Sequence, residues 1–384
     1  MSTLRVRAYN VRFGDALLVS VPERIGDGEE EVRQLLIDVG NVLTGEGGAD
    51  EVFRPVLEDV QAELAGRPLD LYVLTHEHMD HAQGLPYASE RLGIDLAVRH
   101  AWLPASAAED YYERFPDAEK RRVTFDAIVR YFEAAPGTRT AGIDALLANN
   151  DYRSTDRCVE YLRKMSDNTT YVFRGCDLSE AGPFTEAQAE VWAPEEDATV
   201  YYGRFQPMAL GVSEGEGEAP NLRTPLPPPG VDAGTFYRLV ESRRRSSIDN
   251  LLQIDRANNN TSVVFSLEWR GWRLLFPGDA EQRSWREMDK RDVLRPVHFM
   301  KVGHHGSWNG TPPPELLDKV LPETPPDERT RLAVVSTHGD TYNDVPEEET
   351  LEAIGGRAEV RRIGEDASPS FVDLEFPDAG TGGG

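Results

Sequence analysis

Apolar and polar residues alternate through residues 4 to 22, in LRVRAYNV and DALLVSVP, two segments joined at Arg12-Phe13-Gly14, and VRQLLIDVG follows a Gly/Glu-rich turn. A period of two marks strands with one buried face, so the chain is expected to open with antiparallel β structure. The period then changes. From Asp50, which suits an N-cap, Val52, Phe53, Val56, Leu57, Val60 and Leu64 fall on one helical face until Gly66 and Pro68 stop it. The next segment, LDLYVLT, is almost continuously apolar, as in a strand buried on both faces. It delivers THEHMDHAQG at its C-terminal end, where open α/β sheets commonly carry their sites.

Residues 105 to 180 read mainly as helices, with Phe125, Ile128, Val129 and Phe132, then Val159, Leu162 and Met165, at helical spacing. A helical insertion is therefore expected over about 105–190. The segment GVSEGEGEAPNLRTPLPPPGVDAG has almost no large apolar residues and reads as a mobile loop over about 211–235. Strand patterns return in TSVVFSLEW, WRLLFPGD, VHFMKVGHHG, RLAVVSTHG and FVDLEF, and residues 379–384 form a flexible tail. No internal repeat is apparent.

Composition narrows the class. A chain of 384 residues, 39% hydrophobic and 28% charged, can bury a large core, and length alone suggests roughly two or three domains. No run approaches the roughly 18 apolar residues of a membrane span, and the N-terminus alternates Arg with apolar residues where a signal peptide would have an apolar block. A cytoplasmic protein without a membrane partner is expected. Cys158 and Cys176 have neither disulfide-framework nor zinc-knuckle spacing, so they read as small buried side chains or surface thiols. The net charge of −26 repels polyanions at long range. An anionic substrate would need a local positive site, either bound metal or the runs Lys120-Arg121-Arg122 and Arg243-Arg244-Arg245. Those runs read more simply as solvated faces.

The candidate chemistry lies in His76-Glu77-His78-Met79-Asp80-His81, three of the eight histidines of the chain within six positions. A polar loop can gather histidines by accident. A strand-terminal HxHxDH, however, offers two imidazoles two residues apart, then a carboxylate and another imidazole, a donor set suited to two adjacent divalent ions. One loop cannot complete such a site, so remote ligands are expected at other strand ends. Asp279 ends WRLLFPGD, and His304-His305 ends VHFMKVGHHGS. His338, after VVST, also follows an apolar run and is a candidate substrate contact, whereas His100 and His298 read as structural.

The segments THEHMDHAQGL, NNNTSVVF, LLFPGDAE and KVGHHGS, with FGDALLV and LLIDVG, resemble the metallo-β-lactamase superfamily. More narrowly they resemble the branch containing the hydrolase domain of ComEC-type DNA-uptake proteins and the choline-phosphate esterases. The likeness takes in the strand-like segments to about residue 350 and leaves out the helical region and the 211–235 loop. It implies an α/β fold, the metallo-β-lactamase αββα sandwich with an inserted helical region, as a single hydrolase domain over 1–378. It further implies that His76 and His78 bind a first metal, that Asp80, His81 and one of the HHGS pair, preferably His305, bind a second, and that Asp279 bridges them. His304 would then donate a hydrogen bond to substrate or to developing negative charge, and Asp80 would orient the attacking hydroxide.

The expected cofactor is two divalent metal ions, zinc favoured and manganese possible. Two such ions would bring the pKa of a bridging water toward neutrality and polarise the bond attacked. Most members of the superfamily carry a third histidine for the first metal just ahead of a strand before the bridging aspartate. Here Asn258-Asn259-Asn260 stand in that place. They form a turn or line the site, with Asn258 the favoured weak ligand and Asn258 and Asn260 candidate substrate contacts. The expected function is a dinuclear-metal phosphodiesterase or nuclease, with nucleic acid or a small phosphodiester as substrate. The alternatives are hydrolysis of a carboxylic ester, lactone, thioester or amide, and a non-catalytic binding protein.

Overall fold

In the computed structural model, residues 2–26, 28–41, 49–205, 232–337, 345–364 and 370–378 are described. The opening period of two becomes a meander in which β1 (Thr3–Tyr9), β2 (Ala16–Ile25) and β3 (Glu29–Val39) pair antiparallel. Helix α1 (Ala49–Leu64) follows, and all six of its predicted core positions are buried. After it β4 (Leu69–Val73), β5 (Val98–Pro104) and β6 (Thr169–Val172) add to β3 in parallel.

A second sheet is built from β7 (Gln188–Ala193), β8 (Val264–Trp269), β9 (Trp272–Phe276), β10 (Phe299–Lys301), β11 (Leu332–Ser336) and β12 (Glu359–Ile363), in the order β12-β11-β10-β9-β8-β7. Strand β13 (Phe371–Pro377) returns to the first sheet, antiparallel to β1, and gives the order β13-β1-β2-β3-β4-β5-β6.

Alternation assigns the layers. Leu17, Val19, Leu35, Ile37, Leu71 and Val73 of the first sheet meet Phe265, Leu267, Leu274, Phe276, Phe299 and Val334 of the second in one core between the sheets. The intervening residues Leu18, Leu36 and Tyr72 face α1 and α4 (Tyr152–Lys164), while Val264, Leu275 and Met300 face α6 (Gln282–Lys290), α7 (Pro314–Val320) and α8 (Glu348–Gly355). Both faces of both sheets are covered, so the fold is the αββα sandwich of the α/β class. No helix among the described residues is long and apolar enough to cross a membrane.

Two expectations change. The region read as helical holds α2 (Lys120–Ala134), α3 (Ala141–Asn149) and α4, but it ends in sheet: β-branched and aromatic residues in Thr169–Val172 form the edge strand β6, and β7 begins at Gln188. The long α5 (Ala233–Asn259) has no counterpart in the apolar pattern of the sequence, because its apolar positions are few and its Arg run dominates. Its buried Leu251 and Ile254 pack on Phe125, Ile128, Phe132, Ile143 and Leu147, joining α2, α3 and α5 into a helical layer with its own core. The expected 211–235 loop lies outside the described residues up to 231, and its last three positions are in α5. The 379–384 tail lies outside them too.

Backbone contacts hold the histidine turn in place. The Asp15 N–H donates to the Asp80 carbonyl at 3.2 Å, and the Gly40 N–H donates to the Asp15 carbonyl at 3.1 Å. A Cβ on Gly40 would lie 2.1 Å from the Asp80 carbonyl carbon and 2.2 Å from His81 N, so only glycine fits. Gly40→Ala is expected to cost about 1–3 kcal/mol through overpacking and to move Asp80 and His81 off position. A denaturant melt read beside metal content checks both; an unchanged midpoint with full metal uptake would show that the turn does not depend on this contact.

Candidate metal centre

Strand β4 ends at Val73, the chain bends at Glu77, and after His78 in extended conformation one helical turn follows at Met79–Ala82. The bend brings the two rings together, and His76 Nε2 faces His78 Nδ1 at 3.0 Å. The helical turn then brings Asp80 and His81 inward, where they meet Asp279 after β9 and His305 after β10. His81 Nε2 lies 3.2 Å from Asp279 Oδ2 and 3.9 Å from Asp80 Oδ2, and His305 Nε2 lies 3.6 Å from Asp80 Oδ2. One ligating atom from each of these four residues fits within 4.8 Å of the others, and all four are buried. The His76 and His81 rings are 4.2 Å apart between centroids, so the structure brings His76, His78, Asp80, His81, Asp279 and His305 together.

Each imidazole is held through one nitrogen and leaves the other for the shared space. His76 Nδ1 contacts Thr75 Oγ1 at 3.2 Å, His78 Nε2 contacts Asn150 Oδ1 at 3.0 Å, His81 Nδ1 contacts Asp38 Oδ2 at 2.8 Å, and His305 Nδ1 contacts the Ser336 carbonyl at 3.2 Å. This outer-shell bracing sets tautomer and ring orientation in metal-binding histidines. Asp80 Oδ1 and His305 Nε2 are buried without a hydrogen-bond partner. Buried polar atoms are ordinarily satisfied, so converging, unsatisfied imidazole and carboxylate donors fit divalent metal.

The electrostatics agree. Burial alone would lower the His81 pKa, but Asp279, Asp38 and Asp80 outweigh it and hold it well above the ordinary value. Burial would raise the Asp279 carboxyl, yet His81 and Lys301 keep it well below the usual range. The centre therefore demands positive charge. His76, by contrast, is held neutral by burial and by its neighbours His81 and His78.

Further residues brace this set. Asp38, at φ 52°, accepts from the Thr75 N–H and the Thr75 hydroxyl, both at 2.7 Å, and its third contact is the His81 ring. The buried Lys301 ammonium pairs closely with Asp15 and lies 3.6 Å from Asp279 Oδ1. These residues carried a readable signal: Asp15 and Asp38 sit in FGDALLV and LLIDVG, and Lys301 is a lone cation inside an apolar strand.

Other expected residues lie elsewhere. The His304 N–H donates to Asp279 Oδ1 at 2.9 Å, but its ring turns toward Glu281, with Nδ1 3.7 Å from Oε1. The Asn258 amide is committed to Arg121 and to Asn150, and Asn260 to the Arg256 carbonyl and the Ser284 N–H. Neither reaches the cluster; of the three consecutive asparagines the one on the cavity wall is Asn259. Glu77, inside the histidine motif, accepts from Ser106 instead. His298 is structural, bonded to Arg273 N–H and Asp327, and His100 lies on β5 outside the cluster. His338 lies outside the described residues. The solvated-face reading fails at Arg121, which is buried beside Asn258 and Tyr112, whereas Arg245 pairs with Glu241 on the surface.

An open cavity of about 500 Å³ exposes the centre. Asp80, Asp279 and His305 line one side of it, and Ile143, Leu146 and Leu252 of α3 and α5 line the other.

Residues 31–146 match the family model described as Metallo-beta-lactamase superfamily. None of the curated proteins compared with the chain matches it. The matched segment carries His76 to His81 and ends before Asp279 and His305, which the fold alone adds. Together the match, the αββα layering and the buried histidine–aspartate cluster support a place in the metallo-β-lactamase superfamily and fit a metal-dependent hydrolase.

Proposed function

We propose that the protein is a dinuclear-metal phosphodiesterase, acting on a small phosphodiester or a nucleic-acid terminus. The observation that carries the metal reading is the buried set Asp80, His81, Asp279 and His305, with ligating atoms within 4.8 Å of one another and the His76 and His78 rings beside them. In this reading His76 and His78 would hold one ion and Asp80, His81 and His305 the other, with Asp279 available to the pair. Zinc suits the imidazole-rich donor set, and manganese is the alternative. Divalent ions held there supply Lewis-acid activation of water and of the bond attacked.

The remaining roles belong to the chain. Two dications would outweigh the charges of Asp80 and Asp279 and leave the centre itself, at one side of the cavity, a local positive point within an acidic protein, which is what an anionic phosphodiester needs. The cavity walled by α3 and α5 has the size of small-ligand pockets, which favours a compact substrate over duplex nucleic acid. Asp80 would orient the attacking water, and the His304 ring, on the cavity wall, would donate toward developing negative charge through the nitrogen not turned to Glu281. The helices between β5 and β6, with α5, serve as the substrate wall of one hydrolase domain. The phosphodiester assignment itself rests on the HHGS and NNNTS motifs; the same centre suits carboxylic esters, lactones and thioesters, which remain the second reading.

The purified chain is expected to carry close to two transition-metal ions in this centre, measured by elemental analysis. A well-folded preparation that takes up none after add-back would sink the enzyme reading. Turnover of bis-p-nitrophenyl phosphate, compared with a lactone and an acyl thioester, reads the substrate class: phosphodiester cleavage is expected to dominate, and preference for either acyl substrate would overturn it.

Asp279→Ala is expected to reduce hydrolysis to background with little change in a circular-dichroism melt, whereas His81→Ala should abolish hydrolysis and also lower the melt, because it strips the buried Asp38 carboxylate of its ring partner. Full activity in Asp279→Ala would reduce the Gly-Asp turn to a structural feature. Asp38→Asn, which removes the charge behind His81, is expected to weaken metal binding roughly 10- to 100-fold. Competition with a chromophoric chelator measures it, and wild-type affinity would show that Asp38 does not orient His81.

A further inference from the structure

We propose a third divalent-cation site, formed by Asp255, Glu281 and His304 with the amide oxygen of Asn259, beside the six-residue centre and opening on the same cavity. Asp255 and Asn259 are one helical turn apart near the C-terminal end of α5 and so share a face. Glu281 follows the Asp279 loop. His304 follows β10 with φ 46°, and that left-handed conformation swings its ring away from the ring of His305. Ligating atoms of Asp255, Glu281 and His304 lie within 4.8 Å of one another.

Two observations point to an ion. First, the cluster sets two carboxylates against one imidazole. Glu281 is 4% exposed, and its one ion-pair contact among the described residues is His304 Nδ1 at 3.7 Å. Asp255 has His78 Nε2 at 3.9 Å, and neither carboxylate is paired with lysine or arginine among the described residues. Buried charges are ordinarily paired or coordinate metals. Second, the cluster contains unsatisfied polar atoms. Asn259, 1% exposed, donates through Nδ2 to Glu281 Oε1 at 2.9 Å, yet its Oδ1 has no partner, and neither does His304 Nδ1.

Two carboxylates, one imidazole and one amide oxygen form a harder donor set than the histidine-rich centre, so manganese suits it better than zinc. Asp255, Asn259 and His304 all line the cavity. An ion there would give the cavity a second positive point, able to hold an anionic part of a ligand away from the bond attacked. The site stands whichever substrate class the hydrolase uses.

The test is Mn²⁺ titration into the chelator-treated full-length protein, with free Mn²⁺ read by electron paramagnetic resonance. The wild type is expected to bind one ion more than the histidine centre holds. Glu281→Gln, which keeps the shape of the side chain, and Asp255→Asn should each bind one ion fewer than wild type, with the remaining affinities unchanged. Asn259→Asp should tighten the extra site at least several-fold. Identical stoichiometry in wild type and Glu281→Gln would overturn the proposal, because the cluster would then be a hydrogen-bonded polar network only. Should the variants melt early by circular dichroism, wild-type crystals soaked in Mn²⁺ decide it. An anomalous peak bonded by Asp255, Glu281 and His304 supports the site, and no peak there at saturating Mn²⁺ refutes it.

Discussion

The contact on which the rest depends is His81 held between Asp38 of the first sheet and Asp279 of the second, 2.8 Å and 3.2 Å from its two ring nitrogens. All three residues are at most 1% exposed, so the charges meet in a dry space where an unpaired carboxylate would cost several kcal/mol. The arrangement is stable only if something positive sits among them: the His81 proton, the Lys301 ammonium or a metal ion. The two sheets thus meet at their strand ends through a shared need for cation, while the apolar core between them does the work of holding them together elsewhere. Such a pairing adds little net stability, but it specifies which ends of which strands face each other.

That division explains what could be read in advance. Alternation in β1 to β3 and the helical spacing of α1 are local signals, and they located the elements because each residue's burial follows from its own neighbours along the chain. His76 to His81 were equally legible, since six adjacent positions carried the chemistry. Asp279 and His305 were legible because each ends an apolar strand. What escaped was long-range. Nothing in the polar run of α5 announces that Asp255 will stand beside Glu281 and His304, because that meeting depends on how a helix docks after a separation that includes residues 206–231. Asn258 misled for the same reason: the local count placed three asparagines near the centre, and only packing chose Asn259 to face the cavity and gave Asn258 to Arg121.

Arg121 also changes the meaning of the charge pattern. Taken as part of Lys120-Arg121-Arg122 it looked like solvated surface, yet it is buried, bonded to Asn258 and Tyr112. Its contact with Asn258 continues to Asn150, whose oxygen braces His78 Nε2. The helical layer is therefore tied to the histidine turn by polar contacts as well as by its apolar packing. A substitution in α2 can reach the centre through this chain, although α2 contributes no residue to the cluster.

The two adjacent histidines after β10 carry the last step. His304 and His305 have φ values of 46° and 54°, a left-handed conformation that costs roughly 1–3 kcal/mol per non-glycine residue. The surroundings hold it: the His304 N–H is fixed to Asp279 Oδ1, the His305 ring lies 4.2 Å from the Phe13 ring, and His305 Nδ1 is held by the Ser336 carbonyl. An extended strand would also have sent neighbouring rings to opposite faces, but it would have carried the backbone past the Asp279 loop. The left-handed pair stops the chain there, so one backbone N–H reaches Asp279, one ring enters the Asp80–His81–Asp279 cluster, and the other turns to Glu281. A strained turn persists when several contacts require it at once, and here those contacts are the candidate ligands themselves.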